Sequence, residues 1–245
     1  MRTNRTLVKL LWTAVIILAL VGIAMALRRA VVLIKPGALS ASRNPAAQLD
    51  AHFANRRAIT LVHILPGILF MVLGPLQFVG SLRSRYPGFH RWSGRIFLTA
   101  SAVIGISGLT MAAGETIGGV DEKSAIFLFG TFFLFALGKA LWHAMRREFV
   151  AHREWMLRGF AVGLAVATIR PIMGAFFAAA LLRGHAPQPH EFFGTAFWIG
   201  FTLQAIVAEL WIRYTRSRLT GMSRLPAPSL VLHAQELARQ TRSQE

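Results

Sequence analysis

Six stretches of this chain are each long and apolar enough to cross a bilayer: residues 10–27, 59–80, 96–113, 124–145, 156–182 and 192–212. A hydrocarbon layer about 30 Å thick is spanned by roughly 20 residues of helix. Within it every backbone N–H and C=O needs a protein partner, which leaves helices or a closed barrel. The alternation of a barrel strand is absent from these runs. The sequence therefore predicts an all-α polytopic membrane bundle of six transmembrane helices, with the lipid bilayer as its first partner. Charge alone would mislead. There are 27 Lys and Arg against 10 Asp and Glu, a net +17 in 245 residues, which in a soluble domain would point to nucleic acid. With 54% of residues hydrophobic and the apolar runs this long, the basic residues instead report topology, and nucleic acid is not an expected partner. The chain has no cysteine, which removes disulfides, thiolate metal sites and cysteine nucleophiles.

The basic residues collect on alternate connections. Arg2, Arg5 and Lys9, then Arg83, Arg85, Arg91 and Arg95, then Arg146, Arg147, Arg153 and Arg158, and the tail from Arg213 onward put seventeen on one side against eight on the other. The positive-inside rule places both termini of a multi-pass cell-membrane protein in the cytoplasm. Trp92, Trp142, Trp155 and Trp211 fall near that same interface. One feature is discordant: six of the eight opposing charges lie in the first loop. Residues 1–27 read as a first transmembrane helix acting as a signal anchor, although Ala24-Met25-Ala26 would also suit a cleavage site. Residues 28–58 read as an external loop with a short interfacial helix near Asp50–Arg57. Residues 59–212 form a five-helix core, and 213–245 a cytoplasmic tail with a short helix near Leu230–Gln240.

Small residues mark the faces where membrane helices meet. In the fifth span Gly159, Gly163, Ala167, Arg170 and Gly174 share one face at helical spacing. In the second, His63, Gly67, Phe70, Gly74 and Gln77 do the same, and the third offers Ser101, Gly105, Gly108 and Ala112. Two stripes also carry a polar residue that close packing does not need: His63 and Arg170. Arg170 falls near the middle of span five, and the Arg170-Pro171 step marks that span as interrupted. An arginine at the centre of a span costs roughly 2.5–3.5 kcal/mol, so it is expected to point inward. There it either meets Gln204, Thr202, Ser101, Ser107 or Thr131, or lines a cavity. Phe127, Phe129, Phe132, Phe133 and Phe135 surround span four, facing either lipid or a cavity.

His90, His143 and His152 are expected at one end of the bundle and His63 toward the other. The pattern His63-x3-Gly67, Gly74-x2-Gln77, His90-Arg91-x2-Gly94-Arg95, His152-x2-Trp155-Met156-x-Arg158 and Arg170 resembles a bacterial family of membrane proteins catalogued as domain of unknown function 2306. The resemblance covers roughly residues 59–175. It implies a membrane bundle without an established activity, and it singles out His63, His90, His152 and Arg170. The candidate ligand- or cofactor-binding residues are His63, His90, His143, His152, Arg91, Arg158 and Arg170, with no catalytic or metal assignment.

Three functional classes compete. One is binding of an anionic small molecule or lipid, for transport or sensing, with Arg170 as the intramembrane charge. A second is a b-type haem protein, since facing helices can present axial imidazoles. In that case His63 lacks a partner at its own depth unless His185 or His190 reaches it. A third is a metal enzyme drawing on His90, His143 and His152 with Glu148 or Glu154, though no zinc-type spacing supports it. A structural or accessory role is the remaining alternative.

Overall fold

Five of the six apolar runs lie within one helix each, and the run 59–80 ends three residues past the end of its helix at Gln77. The structure is a computed structural model that describes residues 5–35 and 45–222, and the helix expected near Leu230–Gln240 lies outside them. In chain order the helices are α1 (Arg5–Ile34), α2 (Pro45–Ala54), α3 (Arg57–Gln77), α4 (Gly80–Arg85), α5 (Pro87–Ala113), α6 (Gly119–Met145), α7 (Phe149–Leu182) and α8 (Pro189–Met222). All but α2 and α4 are long and apolar enough to span a membrane. The chain is an all-α polytopic membrane protein.

Several helices outrun the apolar stretch that predicts them. Hydropathy marks where hydrocarbon begins, whereas the helix continues into its polar turns. Thus α5 starts at Pro87, where a proline costs no internal hydrogen bond, and α7 starts seven residues before residue 156. The interfacial helix sits earlier than expected: α2 ends at Ala54, and α3 begins at Arg57. Pro171 does not interrupt α7, which runs unbroken over 34 residues, about 51 Å. A proline within a membrane helix removes one backbone bond, a loss that neighbouring groups can absorb.

Among the described residues, those up to Val207 form one compact unit and those from Ala208 onward a second. In the first, α3 packs on α5, α6 on α7, α1 on α3 and α7, and α5 on α6. The small-residue stripes are the contact faces. Gly159 faces Leu137 of α6, and Gly105 faces Leu134. Gly74 lies against Phe160, and Gly163 against Phe70 and Phe133. At the bundle's centre the Phe70 ring stacks on Phe97 with centroids 5.0 Å apart, and Phe133 and Phe160 lie within 6 Å of it. The phenylalanines of α6 divide between the two expectations. Phe133 is buried in the core, Phe127 and Phe135 are exposed, and Phe129 stacks on Phe201 of α8. In the second unit Trp211 stacks on Tyr214.

A Cβ on Gly163 would lie 2.3 Å from the tip of the Phe70 ring, which is itself packed on three others. Gly163→Ala is therefore expected to destabilise the detergent-solubilised protein by about 1–3 kcal/mol, the usual cost of overpacking. Gly138→Ala, where a Cβ meets nothing within 4 Å, is expected to leave thermal unfolding unshifted. Equal melting temperatures for the two variants would contradict this packing.

Candidate functional site

The α3 stripe and the α7 stripe run antiparallel. Gly74 faces Phe160 and Gly163 faces Phe70, and the same register carried outward brings Arg170 level with His63. His63 is six residues into α3, about 9 Å from its start. Arg170 accordingly lies toward the Arg57 end of the bundle rather than midway. α7 runs a further twelve residues past Arg170, to Leu182, and its last leucines are exposed.

His63 and Arg170 border one cavity of about 260 Å³. Its inner walls are apolar, built by Phe70, Met71, Phe133, Val162, Phe197 and Phe201. Its mouth is polar, with Arg29 from α1, His52 from α2, Arg56 before α3, Glu115 after α5 and Glu122 from α6. Arg170 is half-buried and borders this cavity. Among the described residues its guanidinium has no hydrogen bond, ion pair or aromatic partner. Gln204, one of its expected neutral partners, instead donates to Thr168 Oγ1 at 2.7 Å. The nearest charges felt by Arg170 are the like charges of Arg28 and Arg29. Arg170 thus presents a cation at the edge of a largely apolar cavity, among other cations.

The mouth is held by α2. Arg28 grips Asp50 through two bonds of 3.1 and 2.8 Å. Arg29 Nη1 lies 3.0 Å from Asp50 Oδ1, donates to the Leu49 carbonyl at 2.8 Å, and its guanidinium stacks 4.4 Å over Phe53. Arg56 Nη1 donates to the Met111 carbonyl at 2.8 Å, tying the start of α3 to the end of α5. These contacts account for three of the six discordant basic residues of the first loop: Arg28, Arg29 and Arg56 are occupied in structure. Glu122 is also occupied, since its Oε2 accepts the Gly118 N–H at 2.8 Å.

His52 sits in this mouth, outside the spans. Burial, then the charge of Arg56, pushes its pKa below the ordinary 6.5, with Arg29 adding to the effect and Glu115 opposing it. Because the unfolded chain takes up the proton more readily, the neutral ring contributes stability above about pH 6.5. That contribution is lost as pH falls from there through the depressed folded value. His52→Phe is expected to flatten this part of the acid limb of thermal stability; an unchanged limb would show that His52 does not shape it.

The other candidate residues gather elsewhere. Gln77, at the far end of α3, donates to Ser93 at 2.9 Å, and His90 lies one turn before Ser93. His90 is within electrostatic reach of His152. The Nδ1–H of His152 donates to the Ala140 carbonyl at 2.8 Å. His143 is engaged with Glu148, Arg158 lies 4.7 Å over the Trp155 ring, and Arg91 is exposed. Trp142 likewise carries Lys139 and Arg146 on its ring, at 4.4 and 4.1 Å. His63 and this group are about 21 Å apart along α3, counting from His63 to Gln77 at helical rise. Among the described residues no three His, Asp or Glu side chains converge as a metal would require. His185, a possible haem partner for His63 on sequence grounds, pairs instead with Glu191 at 3.1 Å. The histidine that shares the cavity with His63 is His52.

A family model described as predicted membrane protein, DUF2306, matches residues 60–212. The chain belongs to this family. Comparison with curated proteins and with solved structures returned no match. The DUF2306 match extends through span six, further than the roughly 59–175 read from motifs. It takes in His63 and Arg170, whereas α1 and α2, which close the cavity mouth, lie outside it.

Proposed function

We propose that this DUF2306 protein binds an anionic amphiphile in the cavity between α1, α3, α5, α6, α7 and α8, as the recognition step of transport or sensing. The observation that carries the reading is Arg170, which borders the cavity and lacks a partner among the described residues. The anionic head would meet its guanidinium, whose planar fork suits a carboxylate or phosphate. The apolar part would lie along the phenylalanines beneath. With the orientation predicted from basic residues, the mouth opens toward the outer leaflet and both termini are cytoplasmic.

The test is binding by the purified protein, followed through tryptophan fluorescence, with dodecyl phosphate and with dodecanol. The reading requires the anion to bind at least tenfold more tightly. Equal binding of the two would sink it. A haem reading draws on a different observation, that His52 and His63 both border this cavity. An absorption spectrum of the same sample tests it, since a Soret band lost in His52→Ala and in His63→Ala would favour haem over amphiphile.

A further inference from the structure

We infer that the amphiphile this cavity accepts is a phosphate monoester, selected by His63 acting as a hydrogen-bond acceptor. This rests on the reading of the cavity as an anion site and goes further, to the chemistry of the head group.

The argument begins at Ser107. Its hydroxyl has a single proton, and Oγ lies 2.6 Å from the Val103 carbonyl, which can only accept. The proton is therefore committed to the helix backbone, as serines in membrane helices commonly arrange. His63 Nδ1 stands 3.0 Å from the same Oγ. With the serine proton turned away, that contact requires Nδ1 to carry the hydrogen and donate it. In the neutral ring Nε2 is then a bare lone pair. Nδ1 is the ring nitrogen placed against Ser107, and the Ile104 carbonyl, the other acceptor reaching the ring, lies 3.2 Å from the same Oγ. Gly108 allows the arrangement, because its missing side chain leaves room for the imidazole: a Cβ there would come within 3.3 Å of Cε1.

The cavity thus presents two complementary groups at one depth, a guanidinium that only donates and an imidazole nitrogen that accepts. A carboxylate or a phosphodiester satisfies the first and brings no proton to the second. A phosphate monoester does both. With its second pKa near 6 it retains a P–O–H beside anionic oxygens around that pH. One head group can then accept from Arg170 and donate to His63. Arg29 and Arg56 border the same cavity and add positive potential for a group of charge between −1 and −2. The facing titratable groups of the other elements are His52, Glu115 and Glu122. The two carboxylates disfavour a more highly charged head.

The experiment compares dodecyl phosphate with methyl dodecyl phosphate at pH 6, using the full chain in detergent. The two share a chain and an anion but differ in the P–O–H. The monoester is expected to bind about tenfold more tightly, the worth of one hydrogen bond to a charged group. His63→Phe is expected to bring the ratio near one. Ser107→Ala, a milder change, frees the proton to move to Nε2 and is expected to lower the ratio in the same direction. Equal binding of the two phosphates to the wild type overturns the inference and leaves the anion site standing. So does a ratio that survives both substitutions. If neither phosphate outbinds dodecanol, the anion site itself is wrong and the inference falls with it.

Discussion

Arg170→Gln is expected to weaken dodecyl phosphate binding by roughly ten- to a hundredfold while leaving the empty protein at least as stable as the wild type. The two halves of this expectation come from one fact. The guanidinium borders a largely apolar cavity, has no partner among the described residues, and is repelled by Arg28 and Arg29. A charge taken from water without a partner is a cost to the folded state, so a neutral amide of similar reach relieves it. Binding moves the other way, because an anion that meets the cation gains a charge-assisted contact worth about 1.5–3 kcal/mol. Arg170→Lys keeps the charge and loses the fork, and should fall between the two. A structural arginine would give the opposite pattern, with a lower melting temperature and unchanged binding. Measuring both quantities on one preparation separates the alternatives.

How much of this was legible beforehand depends on the range of the interaction that fixes each part. Spans are written locally, in about 20 residues of hydropathy, and each apolar run holds one long helix. The stripe arithmetic is also local to one helix, and it found the inward faces: Gly159, Gly163 and Arg170 on α7, and His63, Phe70, Gly74 and Gln77 on α3 do face the interior. Gly174 does not follow its stripe, since a Cβ there meets open space. That a polar residue on a small-residue stripe lines an internal cavity is thus readable from sequence. The rest of the site is not, because it depends on which segments fold back on which. Arg29, His52, Arg56, Glu115 and Glu122 come from five separate segments, and only the three-dimensional closure of α2 over the bundle brings them to one mouth. Counting loop arginines for topology treats them as charges facing water, whereas Arg28, Arg29 and Arg56 are spent on Asp50, Leu49 and Met111. The six-residue α4 has no apolar period to detect. The depth of Arg170 was misjudged for a related reason: hydropathy gives the ends of a span, and only its register against α3 gives the level.

Asp50→Asn should be the most damaging single change in the mouth, lowering stability by about 3 kcal/mol, the cost of breaking a buried ion pair from one side. Asp50 is only 5% exposed and holds two arginines at once, by contacts of 2.8 and 3.0 Å. Of the two, Arg28 is 44% exposed and regains water when released, whereas Arg29 is 9% exposed and does not. The loss therefore concentrates on Arg29, left as a buried cation repelled by Arg170. Asparagine has the shape of aspartate and one acceptor oxygen, so packing is conserved while the charge balance is not. The stacking of Arg29 on Phe53 gives α2 a second hold, which is why the expected outcome is a loosened mouth rather than an unfolded bundle. Hydrogen exchange should then rise in α2 and at the end of α1, with the α6–α7 contact unaffected. Dodecyl phosphate binding should fall less than in Arg170→Gln, because the cavity keeps its cation and loses only part of its cover. Arg28→Gln, which removes the exposed partner alone, should cost under about 1 kcal/mol, as surface ion pairs do. If the Asp50 and Arg28 variants prove equally mild, α2 is not held through Asp50, and the closure of the mouth must come from Arg56 and Phe53.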